Sequence, residues 1–184
     1  QPEGVLPMRL GKEVQYDWFA DQDQGKIEFD AFAQGLIETF QMEATTAQIR
    51  EIWLALLVKL YPGRTQQVQA LSQHYDLALL SNTSRVHFHH YQPECAEMFA
   101  AMDRLFLSFE MGVTKPNPQM YLQALADMGW KAEETLFLDD SRTNIQAAQA
   151  LGIHTVWVEH PSIFEETVGE LLAHADNSSP VDER

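Results

Sequence analysis

Leu136-Phe137-Leu138-Asp139-Asp140-Ser141-Arg142-Thr143-Asn144 carries an apolar run straight into two adjacent carboxylates and then into a polar turn. Two unit charges about 4 Å apart at an effective dielectric near 20 repel by roughly 4 kcal/mol. Carboxylates at the mouth of a buried strand therefore require a compensating cation, and a hard divalent ion with oxygen ligands, Mg2+, suits them. Taken alone the stretch reads equally as a solvated loop, because Asp is common in turns. What stands at the other strand ends decides between the two.

Working outward, Leu77-Ala78-Leu79-Leu80 is a short continuous apolar run, the pattern of a strand buried on both faces, and 104–108 is a weaker strand candidate. Met120, Tyr121, Ala124, Leu125 and Met128 space a helix that opens after Pro118 and closes at Gly129. Residues 135–138 read as the strand leading to the acids, 144–151 as a helix stopped by Gly152, and 153–158 as another strand. Strands and helices alternating at these lengths predict an α/β fold, a parallel sheet joined by right-handed crossovers and flanked by helices. In such sheets ligands gather at the carboxyl ends of the strands.

Those ends carry a consistent chemistry. Leu80 is followed by Ser81-Asn82-Thr83-Ser84, hydroxyls and backbone N–H groups able to hold phosphate oxygens at a helix start. Beyond 104–108 the chain reaches Lys115-Pro116-Asn117-Pro118, a point charge on a turn stiffened by two prolines. The acids follow Leu138. A hydroxyl, an ammonium and two carboxylates on one rim suit a metal-bound phosphate group.

The first third is helical by pattern. Phe29, Phe32, Ala33, Leu36, Ile37 and Phe40 share one helix face, and so do Ile49, Ile52, Trp53, Leu56, Leu57 and Leu60. Asp30 falls early in its helix, where the dipole favours an acid. Pro62-Gly63 interrupts the pattern before a further helical stretch at 65–73, which puts a boundary near Tyr61.

With 184 residues, 45% of them hydrophobic, the chain can bury one core with a smaller insert. A formal charge of −15 opposes nucleic acid and anionic lipid as partners. No apolar run approaches the roughly 20 residues of a membrane span, and signal-peptide features are missing, so a cytoplasmic protein without a membrane partner is expected. The single Cys95 excludes an internal disulfide, fits a reducing compartment and reads as a packed thiol. His87, His89 and His90 crowd together, but they lack helical zinc-site pairing and a thiolate, so they read as surface or substrate-rim histidines. Trp18 and Trp53 read as packing, Arg142 as a solvated neighbour of the acids, and 177–184 as a disordered tail. Oligomeric state is not encoded, since the apolar stripes can be buried within one chain.

The series LALLSNTS (77–84), KPNP (115–118) and LFLDDSRTNIQAAQALGI (136–153) resembles motifs two, three and four of the haloacid dehalogenase-like hydrolase superfamily, in order, over 62–158. The resemblance implies a Rossmann-like core over 62–176 and a small helical cap over 1–61. Gly25-Lys26-Ile27 and Asp30-Ala31-Phe32 are similar to the cap of the small sugar-phosphate phosphatase branch. It further implies Mg2+-dependent hydrolysis of a small phosphorylated metabolite through an aspartyl-phosphate. Ser81 would bond a phosphoryl oxygen with the Asn82 N–H assisting, and Lys115 would neutralise phosphate and attacking carboxylate together. Asp140 would ligate Mg2+ directly, Asp139 through water, and Asn144 would steady their loop.

Members of that family begin with an apolar strand ending in Asp-x-Asp, whose first Asp attacks phosphorus. No such strand precedes the helical region here, and the one Asp-x-Asp, Asp21-Gln22-Asp23, lies in a helical pattern. Because the chain starts at Gln1, the first expectation is an N-terminal segment absent from the sequence as it stands. A shortened pseudoenzyme that keeps the phosphate and metal site is the second, and a nucleophile from another chain the third. A sheet without its middle strand leaves ladder groups unpaired, so the 184 residues alone are expected to be poorly stable. A 2-haloacid dehalogenase shares the Ser-Asn and Lys elements, but that chemistry needs no metal and that branch typically lacks paired acids.

Overall fold

The computed structural model describes residues 18–57 and 59–178. Three helices, α1 (Trp18–Asp23), α2 (Phe29–Phe40) and α3 (Thr46–Leu54), come first. Their apolar stripes meet in part: Phe32 and Ala33 are fully buried, with Phe29, Leu36 and Ile49 around them and Trp18 and Trp53 packed against the cluster. Phe40, Ile52 and Leu56 are instead exposed, and α3 ends at Leu54, short of Leu56, Leu57 and Leu60. Thr45 starts α3 with a reciprocal capping box to Gln48. Residues 1–17 and 58, the rest of the expected 1–61 helical region, lie outside the described residues.

After the Pro62-Gly63 turn the alternation begins: α4 (Arg64–Leu71), β1 (Ala78–Ser81), α5 (Arg85–Ala100), β2 (Arg104–Leu107), α6 (Ser108–Met111) and α7 (Pro118–Met128). A 3-10 turn at Ala132–Glu134 leads to β3 (Leu136–Asp139), α8 (Arg142–Gln149), β4 (His154–Trp157) and α9 (Pro161–Ser178). The pairing is parallel, with Leu80 beside Phe106 and Leu138 beside Val156, so the fold is the α/β, Rossmann-like one.

The strands do not form one continuous sheet. Among the described residues β1 bonds only β2, and β3 bonds only β4. Ladder bonds require strands about 4.8 Å apart, and β1 and β3 stand instead on two sides of a groove. Its volume is about 70 Å³, and Ala78 and Leu80 of β1, Leu136 and Phe137 of β3, and Tyr121 and Leu125 of α7 line it. Helix α7 holds the halves together: Tyr121 is fully buried in a cluster with Leu80, Phe137 and Ile153.

Some boundaries differ from the sequence expectations. Helix α8 starts at Arg142, two residues early, because the turn after Asp140 is a single residue. Helix α9 runs through Ser178, so Asn177 and Ser178, assigned to a disordered tail, are helical; the remainder of that tail, 179–184, lies outside the described residues. Among the described residues no helix is long and apolar enough to cross a membrane.

Candidate active site

Lys115 connects the two half-sheets at their carboxyl ends. Its ammonium donates to the Leu80 carbonyl of β1 at 2.7 Å and to Asp139 Oδ2 of β3 at 2.6 Å. Both side chains are nearly sealed, 9% and 5% exposed, and the Phe137 ring lies 5.4 Å from Nζ. An ammonium has three donors. Two are engaged here among the described residues, which leaves the third for a ligand.

Asp139 accepts three hydrogen bonds among the described residues. Its Oδ1 accepts from the Ser141 backbone N–H at 2.8 Å and from Asn144 Nδ2 at 2.9 Å, while Oδ2 takes the lysine. Asn144, at the start of α8, thereby ties that helix to Asp139. Asp140 is exposed, and its backbone carbonyl is held at 2.9 Å by the Trp157 indole N–H. Arg142 does not pair with the acids; its guanidinium lies 3.9 Å from the centre of the Trp157 ring. Asp140 is thus the carboxylate presented outward.

Asn82 is engaged through its side chain. Its Oδ1 accepts from Lys115 N and its Nδ2 donates to Lys115 O, each at 2.8 Å, so one amide clamps the lysine loop to the end of β1. Ser108, fully buried after β2, braces the same loop: its Oγ accepts from Thr83 N and donates to Thr83 O, each at 2.9 Å. Ser84 caps α5 through His87 N. Ser81 stands between Leu80, held by Lys115, and Asn82. Burial raises the Tyr91 phenol pKa, and hydrogen bonds with Thr83 and Ser81 partly oppose it. The Tyr121 phenol is raised further, by burial and then by the negative Asp139, and it donates to the Asn144 carbonyl at 3.1 Å.

The structure therefore gathers Ser81, Asn82, Lys115, Asp139, Asp140 and Asn144 at the ends of β1 and β3. Tyr91, Ser108, Tyr121 and Trp157 support them and escaped the sequence reading. The partners of Ser108, Tyr121 and Trp157 lie 25, 23 and 17 residues away along the chain, and no spacing rule marks such pairs.

The other candidates lie elsewhere. Asp21-Gln22-Asp23 ends helix α1, with Asp21 paired to Lys26 at 3.4 Å, and no strand carries it. His87 stacks on Trp53 at 5.1 Å, with its Nε2 3.0 Å from the Trp53 carbonyl; His89 and His90 are exposed. Cys95 is buried, and burial, then Glu94, push its thiol pKa up, the opposite of a nucleophile's need. Among the described residues no group of three or more His, Cys, Asp or Glu side chains could hold a metal. The oxygen donors of Asp139 and Asp140 do suit a hard ion such as Mg2+. Such an ion takes about six oxygens, so the pair supplies only part of the shell, and phosphate, water and a further carboxylate would complete it.

The family model described as haloacid dehalogenase-like hydrolase matches residues 9–152. A D-ribitol-5-phosphate phosphatase from Bacteroides thetaiotaomicron is 27% identical over 172 residues, covering 89% of this chain and 82% of that protein. The solved structure of a HAD family enzyme from Bacteroides thetaiotaomicron, in complex with magnesium and inorganic phosphate, superposes with a TM-score of 0.69 at 28% identity, over 76% of this chain and 73% of that one. A predicted HAD-like family hydrolase from Porphyromonas gingivalis gives 0.70 at 29% identity, over 82% and 78%.

Proposed function

This chain belongs to the haloacid dehalogenase-like hydrolases, and from that footing we propose that it serves as a Mg2+-dependent phosphatase of small phosphomonoesters such as sugar phosphates, working through an aspartyl-phosphate. The observation that carries the reading is the bridge from Lys115 to both Asp139 and the end of β1. It fixes a buried positive charge where the phosphate loop and the acidic loop meet. Phosphoryl transfer demands mainly positioning and charge stabilisation, which is what such a site offers.

In this reading the free N–H of Lys115 and the hydroxyl of Ser81 hold the phosphoryl oxygens, and the Asn82 backbone N–H assists. Asp140 ligates the metal. Asp139 reaches it through water while its own oxygens anchor Lys115 and the turn, and Asn144 keeps Asp139 oriented. Mg2+, when bound, draws negative charge from the transferring group. Helices α1, α2 and α3 form the cap that covers the site. The attacking carboxylate belongs at the end of a further strand seated between β1 and β3. Support for that strand is the apolar groove there and the absence, among the described residues, of a ladder partner for either facing edge. The buried single thiol, Cys95, accords with a reducing, cytoplasmic setting.

The test is phosphate release from a panel of small phosphomonoesters by the full-length protein, with and without a chelator. Release that needs Mg2+ is expected. Halide release from 2-halo acids without metal would favour the dehalogenase, and phosphate binding with no turnover of any ester would favour a non-catalytic binding protein.

A further inference from the structure

The acidic loop is held from two sides, and only one of them belongs to the Lys115 network. Strand β3 pairs with β4 as far as Asp139, which stands opposite Trp157, and the Val158 N–H still reaches the Asp139 carbonyl at 2.9 Å. Asp140 is the first residue past that ladder. There the Trp157 side chain takes over: its indole N–H donates to the Asp140 carbonyl at 2.9 Å, so a side chain extends the pairing by one residue. An indole N–H can only donate and a carbonyl can only accept, so the direction of this bond depends on neither pH nor tautomer.

The face of the same indole carries Arg142, whose guanidinium lies 3.9 Å from the ring centre. Arg142 opens α8 two residues beyond Asp140, and both side chains are exposed. A permanently charged guanidinium so close to a carboxylate is its natural partner, yet no ion pair among the described residues involves Asp140. Stacking on the indole holds the cation elsewhere, by the attraction of a guanidinium for an aromatic face. One tryptophan thus performs two tasks. Its edge fixes the backbone of Asp140, and its face keeps the neighbouring cation off the Asp140 carboxylate. A metal-ligating carboxylate needs both, and outer groups that orient such a ligand typically change metal affinity by roughly 10- to 100-fold.

We propose that Trp157 is a positioning residue for the metal site: its N–H sets Asp140 in place, and its ring withholds Arg142 from the same carboxylate. The proposal rests on the reading of Asp140 as the direct Mg2+ ligand and extends it to the residues that keep this ligand fixed and unpaired.

Mg2+ affinity of the full-length protein is measured by calorimetry without substrate, beside the thermal midpoint in metal-free buffer. Trp157→Phe keeps a ring under Arg142 and loses the donor, so Mg2+ binding should weaken about tenfold. Trp157→Leu loses both and should weaken it by roughly two- to fivefold more, the worth of an exposed ion pair between Arg142 and Asp140. Adding Arg142→Gln to Trp157→Leu should recover that further factor, and the same change beside an intact Trp157 should gain less. Trp157→Met serves the same comparison should Trp157→Leu not fold. Excess Mg2+ should restore phosphate release by Trp157→Phe, raising the Mg2+ requirement while kcat is kept, which a general loss of structure would not do. Unchanged Mg2+ affinity in Trp157→Phe, with Asp140→Asn weakened, would overturn the tryptophan's role and leave Asp140 as the ligand. Equal gains from Arg142→Gln with and without Trp157 would overturn the arginine's part. No weakening in Asp140→Asn would instead overturn the ligand reading, and this proposal with it.

Discussion

Lys115 and Asp139 form a nearly sealed ion pair at 2.6 Å, and the same ammonium holds the Leu80 carbonyl of the other half-sheet. Removing the cation strands a buried carboxylate on Ser141 and Asn144 alone. Lys115→Met should therefore lose about 3–5 kcal/mol of stability, read by urea denaturation, and at least about 100-fold in turnover. The double variant Lys115→Met, Asp139→Leu should recover much of the stability and none of the activity. Full activity in either variant would remove the ammonium from the chemistry.

Asn82 makes its contribution through the lysine loop. Asn82→Ala breaks two bonds of 2.8 Å, each worth about 0.5–1.5 kcal/mol in stability. Turnover should fall by a larger factor than stability alone predicts, because Lys115 loses its fixed position. Asn82→Asp keeps the acceptor and loses the donor, so it should fall between Ala and the unaltered protein.

Much of this site is written in the sequence, for physical reasons that also mark where reading stops. Strand ends are legible at Leu80 and Leu138 because apolar runs terminate there in polar residues, and the observed strands β1 and β3 each end one residue later. Local signals also place the turn at Asn117-Pro118 and the stop at Gly129. Helix α5 carries no comparable stripe: its polar and apolar residues are mixed around the axis and Pro93 sits inside it. Contacts across the fold have no local signature at all. Nothing near Asn82 announces a partner at 115, nothing near Asp140 announces Trp157, and the separation of β1 from β3 depends on tertiary packing.

Gly25 sets how closely the helical region meets the core. Its φ is +66°, and an added Cβ would stand 2.2 Å from the Phe109 carbonyl oxygen. Gly25→Ala should thus cost more than the roughly 1–2 kcal/mol of left-handed backbone alone, and should raise KM as the helices shift. Gly112→Ala is the control. It has φ +71° with nothing within 4 Å, so only the backbone cost should appear in its thermal midpoint.

Asp140 differs from its neighbour in being exposed and without a structural partner in the ion pair. Asp140→Asn should leave Tm in metal-free buffer unchanged while Mg2+ affinity, followed by calorimetry, drops at least about tenfold. Asp139→Asn should instead lower Tm, since it removes the charge facing Lys115. A reversed pattern would exchange the two roles.

Titration of the full-length protein with inorganic phosphate, in the presence and absence of Mg2+, tests most directly whether the ends of β1 and β3 together grip a metal-bound phosphoryl group. Tight binding should require the metal and should vanish in both Lys115→Met and Asp140→Asn. Phosphate affinity that is indifferent to Mg2+ and survives both substitutions would contradict it.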